Sequence, residues 1–174
     1  MSDLRPERPT PSEFRRISVY GLAYLLWALS FFLGGLALLQ FRDALLAAVV
    51  VATFNRTQAN PAAAFYAGFQ ARAADQWTYL VAGIVMVVLI VGLEHFYRSG
   101  VQPGLLRLRF FQVTAIEFIV LLVSDLTSAI MVWVVAAFTW RSLFYPILEL
   151  ICAVIFVWLW LESHRKIGME GQPA

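Results

Sequence analysis

An apolar stretch from Phe110 to Phe138 contains two carboxylates, Glu117 and Asp125, and the next apolar stretch contains a third, Glu149. A carboxylate in hydrocarbon costs about 2.5–3.5 kcal/mol on insertion scales, so it is kept where it has a partner or a task. Around the first two, Thr114, Glu117, Leu121, Ser124, Asp125 and Ser128 recur mainly at steps of three and four. On a helix this spacing makes one polar stripe, interrupted at Leu121, on a face turned away from lipid.

Depth follows from the 1.5 Å rise per residue. With hydrocarbon starting near Gln112, Glu117 lies about 8 Å in from one side and Asp125 about 10 Å from the other. Glu149 lies about 9 Å deep from that second side. Asp125 and Glu149 are therefore expected in one layer, and Glu117 near the layer of Glu94 and His95, with Arg98 just below. Two chemistries fit. In one, Asp125 and Glu149 share a proton or bind a cation, and Glu117, His95 and Glu94 continue a path to the opposite side. In the other, each acid is hydrogen-bonded to Ser124, Ser128, Thr114 or Tyr145 and joins helices together.

Other chemistries lack their residues. His95 and His164 both stand at span ends, too shallow for a membrane haem, and the Glu-x-x-His pairs of a di-iron bundle are absent from the sequence. The single cysteine, Cys152, excludes a disulfide framework or a cysteine metal site within one chain, and reads as a small apolar packing residue. Glu162-Ser163-His164 reads as a solvated helix end. The sequence thus predicts no enzyme, no metal ligands and no cofactor. A net charge of +2 is too small to indicate nucleic acid.

The elements that hold these acids are plain in the composition. Hydrophobic residues make up 61% of the 174-residue chain and charged residues 14%, against roughly 45–50% and 25% in soluble domains. The excess sits in blocks of about twenty residues, the length that crosses a hydrocarbon core. The reading is an all-α membrane protein, a four-helix transmembrane bundle forming one domain over residues 17–166. Its spans cover about 19–39, 78–96, 110–138 and 143–161. Residues 1–16 are polar, basic and Pro-rich and are expected to be a disordered tail, as is the flexible end 167–174. A secretory signal is rejected because the run Ile17–Phe41 is too long for one.

Arg42 and Asp43 are expected to end the first span, with Ala44–Phe54 continuing the helix out of the bilayer or lying in the interface. Asn60-Pro61 then restarts the chain, and Phe65, Phe69 and Trp77 recur opposite Gln70, Arg72 and Asp75. This pattern predicts an extra amphipathic or interfacial helix in the first outer loop, on the membrane surface or packed over the bundle ends. Gly100, Pro103 and Gly104 turn the second loop, and Trp140-Arg141-Ser142 closes the third. Arg5, Arg8, Arg15 and Arg16 precede the first span, Arg98, Arg107 and Arg109 flank the second loop, and Arg165 and Lys166 follow the last span. That density of positive charge near short segments predicts both termini in the cytoplasm.

From Phe96 to Ile116, the residues Phe96-Tyr97, Ser99-Gly100, Pro103, Leu106-Arg107, Phe110-Phe111 and Thr114-Ala115-Ile116 resemble the phosphate-starvation-inducible PsiE-like membrane proteins. The layout resembles that family over about residues 17–166. The chain departs from its pattern at Pro103 and Arg107, displaced by one position, in a longer first loop, and at Glu117-Phe118, where a basic residue is expected. The resemblance implies a small multi-pass protein of the bacterial inner membrane, tied to phosphate stress and without catalytic residues. The expected partners are the lipid bilayer and either a second copy or other membrane subunits. Two alternatives remain at this point: an accessory subunit of a larger respiratory or photosynthetic complex, and a small proton or ion channel using Glu117, Asp125 and Glu149.

Overall fold

The computed structural model describes residues 11–59, 61–101, 105–135 and 139–170. They form four helices: α1 (Pro11–Ala59), α2 (Pro61–Val101), α3 (Leu106–Val135) and α4 (Arg141–Glu170), with no strand among the described residues. Each helix contains a stretch long and apolar enough to cross a membrane: Ile17–Thr53, Phe65–Val101, Leu106–Val134 and Ser142–Lys166.

The boundaries differ from the expected ones for local reasons. Pro11 takes the first helical position, where its missing N–H is no loss, so residues 11–16 belong to α1; residues 1–10 lie outside the described residues. At the other end α4 continues to Glu170 past an i,i+4 pair, Lys166 Nζ to Glu162 Oε1 at 2.9 Å, and residues 171–174 lie outside. The expected end of the third span at 136–138, and Pro103 and Gly104 of the second loop, also fall outside the described residues. Ser99 and Gly100 form the last turn of α2.

No separate loop helix forms. Residues 44–59 continue α1, and residues 61–77 are the first turns of one continuous α2. The expected stop at Arg42-Asp43 fails because the guanidinium finds partners sideways. Arg42 Nη1 lies 2.7 Å from Asp43 Oδ1. Its Nε donates to Asp75 Oδ1 of α2 at 3.1 Å, with Nη2 on the same oxygen. The guanidinium also sits over the Tyr79 ring, 4.1 Å from its centre. With the charge compensated across the hairpin, and no proline between Ser12 and Asn60, the helix has no reason to end there.

Helix order in space is α2–α1–α3–α4. The second helix packs along the first and touches the third only lightly, while α4 packs on α3 alone. The bundle is thus an open row. What lets α1 sit between two neighbours is a seam of small residues: Ala23, Ser30, Ala37 and Ala44, seven apart and each at most 4% exposed. In lipid there is no hydrophobic drive between helices, so close approach at small side chains supplies the packing contacts. The α3–α4 contact is built differently. The Phe156 ring meets Phe110, Phe111 and Phe118, with centres 6.2, 6.2 and 5.6 Å away. Near the turn, Trp133 Nε1 donates to Ser142 Oγ at 2.8 Å, and that hydroxyl donates to the Thr139 carbonyl at 2.6 Å.

Candidate functional site

Helices α3 and α4 run antiparallel, and the contacts Phe118–Phe156 and Trp133–Ser142 fix their register. Between them the same register places the Asp125 carboxyl group beside that of Glu149. A hydrogen bond between two carboxyl groups requires a proton on one of them, so this pairing suits a shared proton. Glu149 is 9% exposed, and its Oε2 is buried with no partner; Asp125 is half-buried. The serines expected to serve these acids do not. Ser124 Oγ donates back to the Val120 carbonyl at 2.7 Å, and Ser128 is half-buried on the next turn. Tyr145 is exposed.

Glu117 has a different setting, in the junction of α1, α2 and α3. It is buried against Gly34: a Cβ at that glycine would lie 3.4 Å from Glu117 Oε1 and 3.8 Å from Leu89 Cδ1. A methyl group there would already touch both, so anything larger than alanine would crowd the carboxyl group. One turn toward the chain termini, Ser30 Oγ and Tyr97 Oη share a 2.7 Å hydrogen bond, with the two residues 0% and 1% exposed. Thr114, one turn before Glu117 on α3, is equally buried. Glu117 Oε2 and Thr114 Oγ1 have no hydrogen-bond partner.

Ser30 and Tyr97 were not legible as site residues, since neither type is unusual in an apolar run. Ser30 does stand in the seven-residue small seam, a signal the sequence offered. Trp27, which donates from Nε1 to the Ile90 carbonyl at 3.2 Å, locks α1 to α2 beside them.

The expected path Glu117–His95–Glu94 is not built. His95 is exposed; two residues from Tyr97, it lies about 200° around the helix and faces away from the junction. Glu94 and Arg98 instead border a small cleft with Tyr20, Tyr24 and Tyr97, between α1 and α2. Beside it Arg109 of α3 closes the α2–α3 connection. Its Nη1 donates to the Phe96 carbonyl and to Ser99 Oγ, and its guanidinium covers the Phe96 ring at 4.7 Å. A Cβ at Gly100 would lie 2.7 Å from Arg109 Cδ, so a side chain there would push the arginine out of this position.

Register ties the two acid sites together. α1 and α3 run the same way, and the step from Gly34 to Arg42 equals the step from Glu117 to Asp125. Arg42, Asp75, Asp125 and Glu149 therefore share one level across all four helices, about 12 Å beyond Glu117. Arg109 stands about 12 Å from Glu117 in the other direction. Glu117 thus sits midway between two charged levels.

No family model, curated protein or solved structure matches this chain. Its chemistry rests on its own geometry. Among the described residues no cluster of three or more His, Cys, Asp or Glu side chains offers a metal site, and Cys152 is a half-buried free thiol.

Proposed function

We propose that this chain is a non-enzymatic, multi-pass protein of a bacterial inner membrane that acts through helix contacts with itself or with other membrane subunits. Both termini lie in the cytoplasm, and the role is a stress-related one of the PsiE-like kind. The observation that carries the reading is the open row of helices. An isolated four-helix protein closes its ring and covers each helix with two neighbours, whereas here α4 has one neighbour. Its outer face presents Phe144, Tyr145 and Trp158, and that of α2 presents Phe65, Tyr66, Phe69 and Trp77, all more than 60% exposed. Aromatic side chains of this size are the usual anchors of association surfaces. Within the segment that resembles the PsiE-like proteins, Ser99 and Gly100 meet Arg109 between α2 and α3.

The test is a pull-down of the tagged native protein in a gentle detergent, with mass spectrometry of what accompanies it. Recovery with a near-stoichiometric partner, or as a homo-oligomer, is expected. A monodisperse monomer overturns the reading. An accessory subunit of a larger complex differs from a self-associating protein only in which species is recovered. A second reading, proton or cation passage, is favoured by the meeting of Asp125 and Glu149. It requires flux into liposomes that disappears in Asp125→Asn and Glu149→Gln.

A further inference from the structure

We propose that Glu117 is a one-sided proton-binding site, loaded from the cleft between α1 and α2 through the Tyr97–Ser30 hydroxyl pair. This goes beyond association and does not depend on it. The argument begins with the two orphaned atoms. Thr114 Oγ1 and Glu117 Oε2 are buried, without partners, one turn apart on the same face of α3. A buried polar atom without a partner is costly, and a water bridging two or more such atoms is the usual remedy. Ser30 lies on the adjoining face of α1, one turn from the glycine that touches Glu117, so its hydroxyl completes the set of groups around such a water.

On the side of the chain termini the nearest opening is the cleft between α1 and α2. Tyr97 lines the cleft, whose volume is about 10 Å³, the space of a single water. The titratable groups on this side are Tyr20 and Tyr24 of α1 and Glu94, Tyr97 and Arg98 of α2; Arg109 of α3 is engaged with Phe96 and Ser99. Either oxygen of the Ser30–Tyr97 bond can be the donor, so the bond carries a proton in either direction. A hydronium in the cleft gives its proton to Tyr97 Oη while the phenol proton moves to Ser30 Oγ. The serine proton passes through the bridging water to the Glu117 carboxylate. Water is left in the cleft, the carboxylate becomes a neutral carboxyl, and rotation of the two hydroxyls resets the relay. Beyond Glu117 the junction continues as Ala37, Leu121 and Ala44, buried and apolar, and then Ser124, whose hydroxyl is taken up by the Val120 carbonyl. The path ends there, which makes this a site and not a channel.

The experiment uses the full chain reconstituted in vesicles of one orientation, read by infrared spectroscopy of the protonated-carboxyl band and its shift in deuterated water. A band lost in Glu117→Gln and retained in the Asp125→Asn, Glu149→Gln double variant is expected. Tyr97→Phe should slow its deuterium shift on the order of a hundredfold, the low end of what a positioned proton-transfer group contributes. Ser30→Ala should do the same while removing far less packing, and it decides the matter alone if Tyr97→Phe fails to fold. The shift should follow deuterium added on the face of the chain termini. Absence of any Glu117-dependent band, wild-type exchange in Ser30→Ala, or equal exchange from both faces overturns the proposal.

Discussion

Helix α3 carries two intramembrane acids and treats them in opposite ways. Asp125 stands beside a second carboxyl group supplied by α4, in an interface packed by Phe156 against three phenylalanine rings of α3. Glu117 has no acidic partner in contact and is enclosed by glycine, serine, threonine and tyrosine supplied by three helices. The difference lies in the neighbours. Between α3 and α4 the Phe156 ring packs on Phe110, Phe111 and Phe118, and the register leaves Asp125 and Glu149 side by side. The small residues of α1 bring its backbone close enough that one carboxyl group fills the space. A carboxyl group thus becomes one of a pair on one face of α3 and a solitary buried group on the other.

The sharpest way to break this contrast is to fill the space at Gly34. Gly34→Leu drives a branched side chain onto Glu117 and Leu89, and overpacking of this kind costs up to about 3 kcal/mol. Chemical unfolding in mixed micelles should show the loss, while the Trp133 fluorescence reporting the α3–α4 turn stays unchanged before the transition. An equal change in both interfaces would mean that the two sites are one cooperative unit.

At the paired site the effect is smaller and depends on chemistry more than size. Glu149→Leu removes one member and leaves the Asp125 carboxyl group without its partner, at about 2 kcal/mol. Glu149→Gln keeps a hydrogen bond, since its amide N–H donates to Asp125, and should unfold close to the wild type. If Leu and Gln behave alike, the hydrogen bond between Asp125 and residue 149 contributes nothing. The least costly change is Trp133→Phe, which keeps an aromatic ring in place and loses the bond to Ser142, worth about 1 kcal/mol. It should speed amide exchange around Thr139–Ser142 and leave Glu117 untouched.

Much of this arrangement could be read before any coordinates. Blocks of apolar residues marked all four spans, and counting 1.5 Å per residue from the span ends brought Asp125 and Glu149 to similar depth. What the chain concealed were relations between helices. Arg42-Asp43 reads as a stop until Asp75 and Tyr79 are seen across the hairpin, compensating the charge and letting α1 continue. The pattern Phe65, Phe69, Trp77 reads as a surface helix, yet without a breaker before Val101 it is simply the start of α2. His95 is attractive by type and wrong by angle, whereas Tyr97, two residues on, faces inward. Ser30 becomes conspicuous only once Ala23, Ala37 and Ala44 are aligned with it.

The spatial order α2–α1–α3–α4 also has a meaning in the time of synthesis. Each new helix finds its principal neighbour already inserted: α2 folds back on α1, α3 enters the free side of the small-residue seam, and α4 needs only the helix just made. No segment must wait for a later one except the acids themselves. Glu117 is enclosed as soon as α3 arrives, while Asp125 stands alone in the membrane until α4 brings Glu149. A nascent chain paused between the third and fourth helices would already hold its buried hydroxyl pair, and would expose one acid that only the last helix can satisfy.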